Sequence, residues 1–221
     1  MALFLQWWWS YPETEIMDRT FFTSLDPSKE LLYIPTAMVG GFSYEVCYEY
    51  VTGIIKALWL SIEVAMYPSL KDLEQTGLNQ YGWIYIWWWN TFKLLSEMRT
   101  YWIDRKVIDF LQSGGNICGG SAWAIIFWEN INTATDANIV WLHNVQWFCM
   151  TRNTSIRCHY QEKKEQQIQE YISHHHVDVI ALSETTGLII QNNSIKTVGE
   201  WKVIYYSSTS KKIYGMNELI A

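Results

Sequence analysis

Residues 106–130 combine residue types and a spacing that could support nucleophilic chemistry. Their order predicts a buried strand over 107–112, a glycine turn over 114–120 and an apolar helix over 121–131. Glycine lets the backbone turn sharply and lets the strand and the helix approach each other closely. A strand, tight turn and helix in this order present a nucleophile at the carboxyl edge of an α/β sheet. We therefore predict a catalytic residue within this turn.

Two registers of the turn place different residues at the nucleophile position. Matched to Gly-x-Ser-x-Gly-Gly, residues 115–120 put Ile117 where the serine should be. A shift of one residue puts Cys118 there instead, followed by Gly119. A thiolate at a helix N-terminus is stabilised by the helix dipole and can react without a strong base. Cys118 is therefore the candidate nucleophile, and the alternative interpretation is a small buried residue at a helix start.

The elements around this turn alternate between strands and helices. Strands are predicted at 31–39, 63–67, 107–112, 138–147, 177–183 and 201–206, and helices at 43–60, 82–102, 121–131 and 161–174. Ser43 is the predicted N-cap of the first of these helices. The alternation predicts an α/β fold, a three-layer sandwich with a mainly parallel central sheet. No repeat or linker divides the chain, so we expect one domain over 1–221, with 1–30 as an irregular N-terminal segment.

Four segments at the carboxyl ends of predicted strands resemble the α/β-hydrolase fold family. They are 36–41, 114–120, 183–187 and 207–210, and the resemblance is to the small cap-less lipases and cutinases in order and spacing over roughly 15–221. It implies an α/β-hydrolase-like sheet and oxyanion donors on the backbone of Met38 and Gly119. The segment from Asn116 to Gly120 is also similar to the cysteine elbow of dienelactone hydrolases.

The resemblance also assigns positions to the acid and the histidine of a catalytic triad. The acid position is Thr186, with Glu184 as the nearby carboxylate, and the histidine position is Thr209. Ile117, Thr186 and Thr209 would together substitute all three triad residues, and no histidine follows His176. The sequence therefore favours an α/β-hydrolase-like protein without a complete Ser-Asp-His triad. We expect a catalytically inactive scaffold, either divergent or designed.

Alternative functions stay open. In the first, the chain is a carboxylic ester or thioester hydrolase that uses Cys118, with Glu184 as the acid. The sequence does not decide whether the chain is an enzyme; if it is active, an ester hydrolase is expected. In the second, residues 139–215 resemble the opening of the endonuclease/exonuclease/phosphatase family, with Glu184 as a metal-binding carboxylate and Phe148 where that family has asparagine. In the third, the glycine loop at 113–116 binds an anion.

Composition narrows the partners. A net charge of −6 argues against nucleic acid and anionic membranes. The four cysteines form no C-x-x-C pair and fit reduced thiols in an intracellular protein. No segment has the length of a transmembrane helix or the pattern of a signal peptide, so a cytoplasmic location is expected. Neither a cofactor nor a metal is expected, because Cys158-His159 and the histidines at 174–176 lack a second short-spaced ligand pair.

The chain is rich in tryptophan. Its fourteen tryptophans include runs of three at 7–9 and 87–89. Three consecutive positions of the helix predicted over 82–102 cannot share one face, so at least one of the second run should be exposed. We therefore predict self-association through exposed tryptophan. A small acyl or hydrophobic ligand is the other partner that the composition leaves open.

Overall fold

The computed structural model describes residues 2–6, 15–36, 43–88, 90–146 and 153–220, excepting the side chains of Gln6 and Trp88. The strands are β1 (Ala2–Gln6), β2 (Leu31–Ile34), β3 (Val64–Met66), β4 (Trp83–Trp88), β5 (Asn116–Ser121), β6 (Thr154–Arg157), β7 (Asp178–Ala181), β8 (Thr186–Gln191), β9 (Ser194–Gly199), β10 (Val203–Tyr206), β11 (Lys211–Tyr214) and β12 (Leu219–Ile220). The helices are α1 (Glu15–Phe22), α2 (Tyr44–Ala57), α3 (Thr91–Thr100), α4 (Ile103–Gln112), α5 (Ala122–Ile126) and α6 (Glu165–His175). Short 3-10 helices lie at Leu70–Leu73, Leu78–Gln80 and Glu162–Lys164.

These strands form two sheets. The larger sheet has the order β12-β9-β8-β1-β5-β4-β2-β3. The neighbouring strands in the part β1-β5-β4-β2-β3 are parallel, and every pairing made by β8, β9 and β12 is antiparallel. The smaller has the order β11-β10-β7-β6, in which the pairing of β6 with β7 is parallel and the others are antiparallel. The predicted α/β class is confirmed, with two mixed sheets in place of one.

Helices cover both faces of the larger sheet. Alternate residues of the central strands enter two different hydrophobic clusters, as the period of a strand requires. On one face α1 and α2 pack against residues such as Phe4, Tyr85 and Cys118. On the other face α3, α4 and α5 pack against residues such as Leu5 and Ile117, in a cluster that continues into the smaller sheet. The C-terminal end of β5 thus lies beside the junction of the two sheets.

Helix α4 occupies the segment that was predicted as a strand at 107–112. Its buried residues are Ile103, Val107, Phe110 and Leu111, a spacing that follows the helical period. The strand that precedes the helix is instead β5, which contains Gly119 and Gly120 of the predicted turn. The prediction of a strand at 107–112 was therefore wrong, and the strand-to-helix junction lies at Ser121.

The helix predicted over 82–102 divides into two elements. Its first part is the strand β4, and α3 begins after Asn90, whose side chain accepts a hydrogen bond of 2.9 Å from the backbone N–H of Lys93. Trp87 lies in the strand and packs against Tyr50, with ring centroids 6.5 Å apart. The helical argument for self-association was therefore wrong, and residues 7–9 and 89 lie outside the described ranges.

The predicted cap of α2 is confirmed, because Ser43 accepts from the N–H of Val46.

Antiparallel strands complete the C-terminal part of the chain. Strands β8 and β9 form a hairpin whose two turn residues, Asn192 and Asn193, have φ of 51° and 61°. Asparagine tolerates this left-handed backbone, which a type I′ turn needs at both central positions. The strand predicted at 138–147 is wrong, because residues 138–146, the described part of that segment, hold only an isolated bridge from Gln146 to Asn130.

None of the helices in the described ranges combines the length and the apolar character needed to cross a membrane.

Candidate functional site

Ser121 ends β5 at the carboxyl edge of the parallel strands. It lies opposite Trp88, the last residue of β4, and the preceding Gly120 lies opposite Gln6, the last residue of β1. The backbone of Ser121 has φ 53° and ψ −115°, and α5 begins at the next residue. A residue with a Cβ in such a conformation costs about 1–3 kcal/mol and persists where the fold imposes it. A strained serine between a buried strand and a helix is the geometry of a nucleophile elbow.

The side chain of Trp123 packs directly against the strand that carries Ser121. A Cβ added to Gly119 would lie 1.6 Å from Cδ1 of Trp123, so the indole ring occupies the space of a side chain. Trp123 is fully buried, and its ring meets that of Phe127 edge to face at 5.0 Å. Its indole N–H finds no acceptor among the described residues, and the ring packs within a hydrophobic cluster. Gly119 is thus required for the close approach of strand and helix.

A histidine from the smaller sheet reaches the same point. Strand β6 ends at Arg157, and His159 follows with a left-handed backbone at φ 59°. Its Nε2 lies 3.5 Å from Oγ of Ser121. The side chain of the preceding Cys158 also contacts Ser121, with Sγ 3.9 Å from the Ser121 carbonyl oxygen. Nucleophile and base therefore come from different sheets, joined by α5, which contacts both β5 and β6.

The surroundings of His159 favour its neutral form. Burial, followed by the positive charges of Lys164 and Arg157, lowers the pKa of His159 to about 4. Lys164 Nζ donates a hydrogen bond of 3.0 Å to the carbonyl oxygen of His159, and Arg157 Nη1 donates one of 2.6 Å to the carbonyl oxygen of Thr133. At neutral pH the imidazole is therefore uncharged, the state in which it can accept the proton of a serine hydroxyl.

Two carboxylates lie around this corner of the molecule. Asp136 Oδ2 accepts hydrogen bonds from the N–H of Thr91 at 2.9 Å and from its hydroxyl at 2.6 Å, at the start of α3. Burial raises the pKa of Cys158 to about 12, and the charge of Asp136 contributes to that rise. Glu184 is exposed in the turn between β7 and β8, and its charge acts on Lys164.

The two residues predicted at the nucleophile position lie inside β5. Ile117 pairs with Leu3 and Ile84 and is fully buried. Cys118 is also fully buried, on the opposite face of the sheet; burial, followed by the charge of Asp18, holds the pKa of its thiol well above the ordinary value. At about 3.3 Å per residue, Cys118 is roughly 10 Å short of the sheet edge. A thiol that stays protonated and buried is a poor nucleophile, so its surroundings favour the structural interpretation.

The other predicted site residues are dispersed. Met38 lies outside the described ranges. Gly119 packs under Trp123 within β5. Thr186 is the fully buried first residue of β8 and donates to the carbonyl oxygen of Ser183 at 2.9 Å. Thr209 is exposed between β10 and β11, where its N–H donates to the Ser207 hydroxyl. These contacts link neither threonine to Ser121. Among the predicted site residues, Glu184 influences the surroundings of His159, because its charge raises the pKa of Lys164.

Ser121 and His159 are the pair that the sequence-based prediction missed. A signal for the serine existed: Gly119-Gly120-Ser121-Ala122 fits Gly-x-Ser-x, but Trp123 stands where the second glycine was expected. His159 was considered only as a possible metal ligand, because the catalytic histidine was sought after the acid, in the chain order of the α/β-hydrolases.

The fold resembles those of two solved peptidase structures. One is a candidate peptidase E protein from Listeria monocytogenes EGD-e, at 23% identity and a TM-score of 0.66, with 90% of this chain and 98% of that chain covered. The other is a peptidase from an acI-B1 actinobacterium, at 17% identity and a TM-score of 0.73, with 100% of this chain and 96% of that chain covered. No curated protein matches the sequence.

A sequence model of peptidase family S51 matches residues 12–198. This match and the structural neighbours overturn the resemblance to lipases and cutinases and, with it, the α/β-hydrolase and esterase assignments. They likewise contradict the inactive or designed scaffold, the ester hydrolase that uses Cys118, and the fragment of an endonuclease/exonuclease/phosphatase. Because the match extends over most of its length, the chain belongs to peptidase family S51.

Proposed function

We propose that this protein is a serine peptidase in which Ser121 is the nucleophile and His159 is the general base. The observation that carries the proposal is the distance of 3.5 Å between Ser121 Oγ and His159 Nε2, at a strained strand-to-helix junction. Nucleophile and base in unliganded enzymes often lie slightly beyond ideal hydrogen-bond distance and approach when substrate binds. Membership of a peptidase family supports the choice of a peptide as substrate.

The first half of the reaction forms an acyl-enzyme. Ser121 Oγ attacks the carbonyl carbon of the scissile peptide bond, and its proton passes to Nε2 of His159. The carbonyl oxygen becomes an oxyanion, for which the backbone N–H of Ala122 is the candidate donor. Ala122 is the first residue of α5, where N–H groups have no acceptor within the helix, and the side chain of Ser121 makes no capping bond.

The second half of the reaction restores the enzyme. The imidazolium of His159 donates its proton to the departing amine as the carbon–nitrogen bond breaks. Water then attacks the acyl carbonyl carbon and gives a proton to His159, and the ester bond to Ser121 breaks to release the carboxylic acid. The proton that His159 gained from water returns to the Ser121 oxygen. No oxidant, reductant or metal is consumed in this sequence.

Substitution of Ser121 and of Cys118 distinguishes this proposal from the thiol alternative. We expect Ser121→Ala to lower kcat/KM for short peptides by at least about 1,000-fold, because the nucleophile is lost. Cys118→Ala, matched in size of change and located on the same strand, should keep most of the activity. Amine release is measured by a ninhydrin-type assay, and far-UV circular dichroism checks that both variants are folded.

Covalent labelling provides an independent test. A phosphonyl fluoride should modify Ser121 of the wild-type protein, as determined by mass spectrometry of the peptide that contains this residue. The same modification should be much slower in His159→Gln, because the base that activates the serine is absent. Activity that persists in Ser121→Ala and disappears in Cys118→Ala would refute the proposed function.

A further inference from the structure

The ammonium group of Lys164 reaches the backbone of the proposed general base. Lys164 ends the 3-10 helix Glu162–Lys164, and its Nζ lies 3.0 Å from the carbonyl oxygen of His159. His159 has φ 59°, a left-handed backbone that residues other than glycine seldom adopt. Such a conformation costs free energy and persists where neighbouring groups hold it. The hydrogen bond from the Lys164 ammonium group to the carbonyl oxygen of His159 is charge-assisted and therefore stronger than one between neutral groups. It is a contact that can offset the free-energy cost of this backbone conformation.

The segment between His159 and Lys164 is anchored to another element at its start and closed by an internal hydrogen bond at its end. Tyr160 donates its backbone N–H to the carbonyl oxygen of Leu182 at 2.9 Å, which fixes the segment to the chain just after β7. Lys164 donates its own backbone N–H to the carbonyl oxygen of Gln161 at 2.8 Å, and α6 begins at the next residue. The lysine side chain therefore starts from a fixed point and folds back on His159.

We propose that Lys164 is a positioning residue, whose ammonium group holds the His159 backbone and thereby keeps the imidazole beside the Ser121 hydroxyl. This inference rests on the proposed function, in which His159 is the base. In this role Lys164 acts through His159, whose carbonyl oxygen it contacts. Its removal should therefore lower turnover more than substrate binding, since a small misplacement of a catalytic group costs rate.

The charge of Lys164 supports the same role. After burial, it is the strongest influence that lowers the pKa of His159, ahead of Arg157 on β6. The charged groups around Lys164 itself are Arg157, Lys163 and Glu184; burial and the two cations lower its pKa, while Glu184 raises it. Asp136, across the site, acts on Cys158. The ammonium thus favours the neutral, proton-accepting imidazole as well as its position.

Three variants of the 221-residue chain test this role. In Lys164→Met, kcat should fall about 10- to 100-fold while KM stays within about threefold. The acid limb of the kcat/KM profile should move to higher pH, toward the ordinary pKa of histidine. Lys164→Arg keeps the cation and should keep the acid limb of the wild type. Lys163→Met removes the same charge from the neighbouring exposed lysine and should behave as the wild type.

A measurement without turnover separates this inference from the proposed function. The imidazole of His159 is titrated by NMR in wild type, Lys164→Met and Lys163→Met, with the signal assigned by its absence in His159→Gln. A higher pKa in Lys164→Met alone supports the role of Lys164, whatever the reaction. An unchanged titration together with kcat equal to that of Lys163→Met would overturn it. Lys164→Gln replaces Lys164→Met if thermal unfolding shows that the methionine variant is not folded. Full activity in Ser121→Ala would instead refute the proposed function.

Discussion

A methyl group added at Gly119 is predicted to destabilise the protein through one contact. The new Cβ would lie 1.6 Å from Cδ1 of Trp123, whereas non-bonded carbon atoms prefer about 3.5–4.0 Å. The ring would have to retreat by roughly 2 Å, and it is fully buried against Phe127. Overpacking of this kind costs about 1–3 kcal/mol or more, and the stiffer unfolded chain of the alanine variant returns about 0.4–1 kcal/mol. We therefore expect Gly119→Ala to lose about 2 kcal/mol.

Urea unfolding followed by far-UV circular dichroism measures this loss. Tryptophan fluorescence is unsuitable, since fourteen tryptophans contribute to it. A loss of about 2 kcal/mol corresponds to a decrease in Tm of about 4–8 °C for a chain of this size. Cys118→Ala serves as the matched control, because the side chain of Cys118 faces the opposite side of the sheet from Trp123. It should lose only its own sulfur contacts.

A double-mutant cycle attributes the loss to the pair. Trp123→Leu alone should destabilise the protein by about 2–4 kcal/mol, because it leaves a cavity in the core. That cavity has room for the methyl group of Gly119→Ala, so the double variant should be more stable than the sum of the two single losses by about 1–2 kcal/mol. Additive losses, or a Gly119→Ala protein as stable as the wild type, would show that Trp123 does not fix the strand in this way.

Two further predictions concern a half-buried lysine and the proposed base. Lys106 Nζ donates hydrogen bonds of 2.6–2.9 Å to three backbone carbonyl oxygens of the segment 73–76. Lys106→Met should therefore lower the free energy of unfolding, measured by urea titration, by about 2–3 kcal/mol, and Lys106→Arg should lower it by less. Equal losses in the two variants would contradict the hydrogen-bonding argument. His159 has an ordinary pKa of 6.5 when unfolded and a pKa of about 4 when folded. The unfolded chain therefore binds more protons between these values, and the stability of the wild type should rise with pH across this window more than that of His159→Gln; parallel pH curves for the two proteins would contradict the shift.

The sequence led to the strand β5 but to residues inside it, whereas the proposed nucleophile Ser121 ends this strand. The apolar content of 107–112 suits either a buried strand or the buried face of a helix, and length and period decide between them. The spacing of Ile103, Val107, Phe110 and Leu111 is helical and could have been recognised from the sequence. With α4 assigned, the strand moves to 116–121 and the nucleophile position to Ser121. This part of the site was therefore predictable.

The histidine was not predictable by the same means. His159 is 38 residues from Ser121, and their proximity depends on the packing of the smaller sheet against α5. Strand β6 has four residues and follows a segment without a clear pattern, so its place in a sheet is a property of the tertiary structure. The chain order of nucleophile, acid and histidine was also misleading, because the same geometry occurs in unrelated folds with different orders.

The separation of Ser121 and His159 between two sheets has a consequence for the order in which the protein matures. In a chain that has folded only as far as α5, Ser121 has no His159 beside it. Since β6 and His159 are synthesised later and must dock across the junction, reactivity arises only when both sheets have met. If Ser121 and His159 act as proposed, peptide hydrolysis therefore reports that the two sheets have docked.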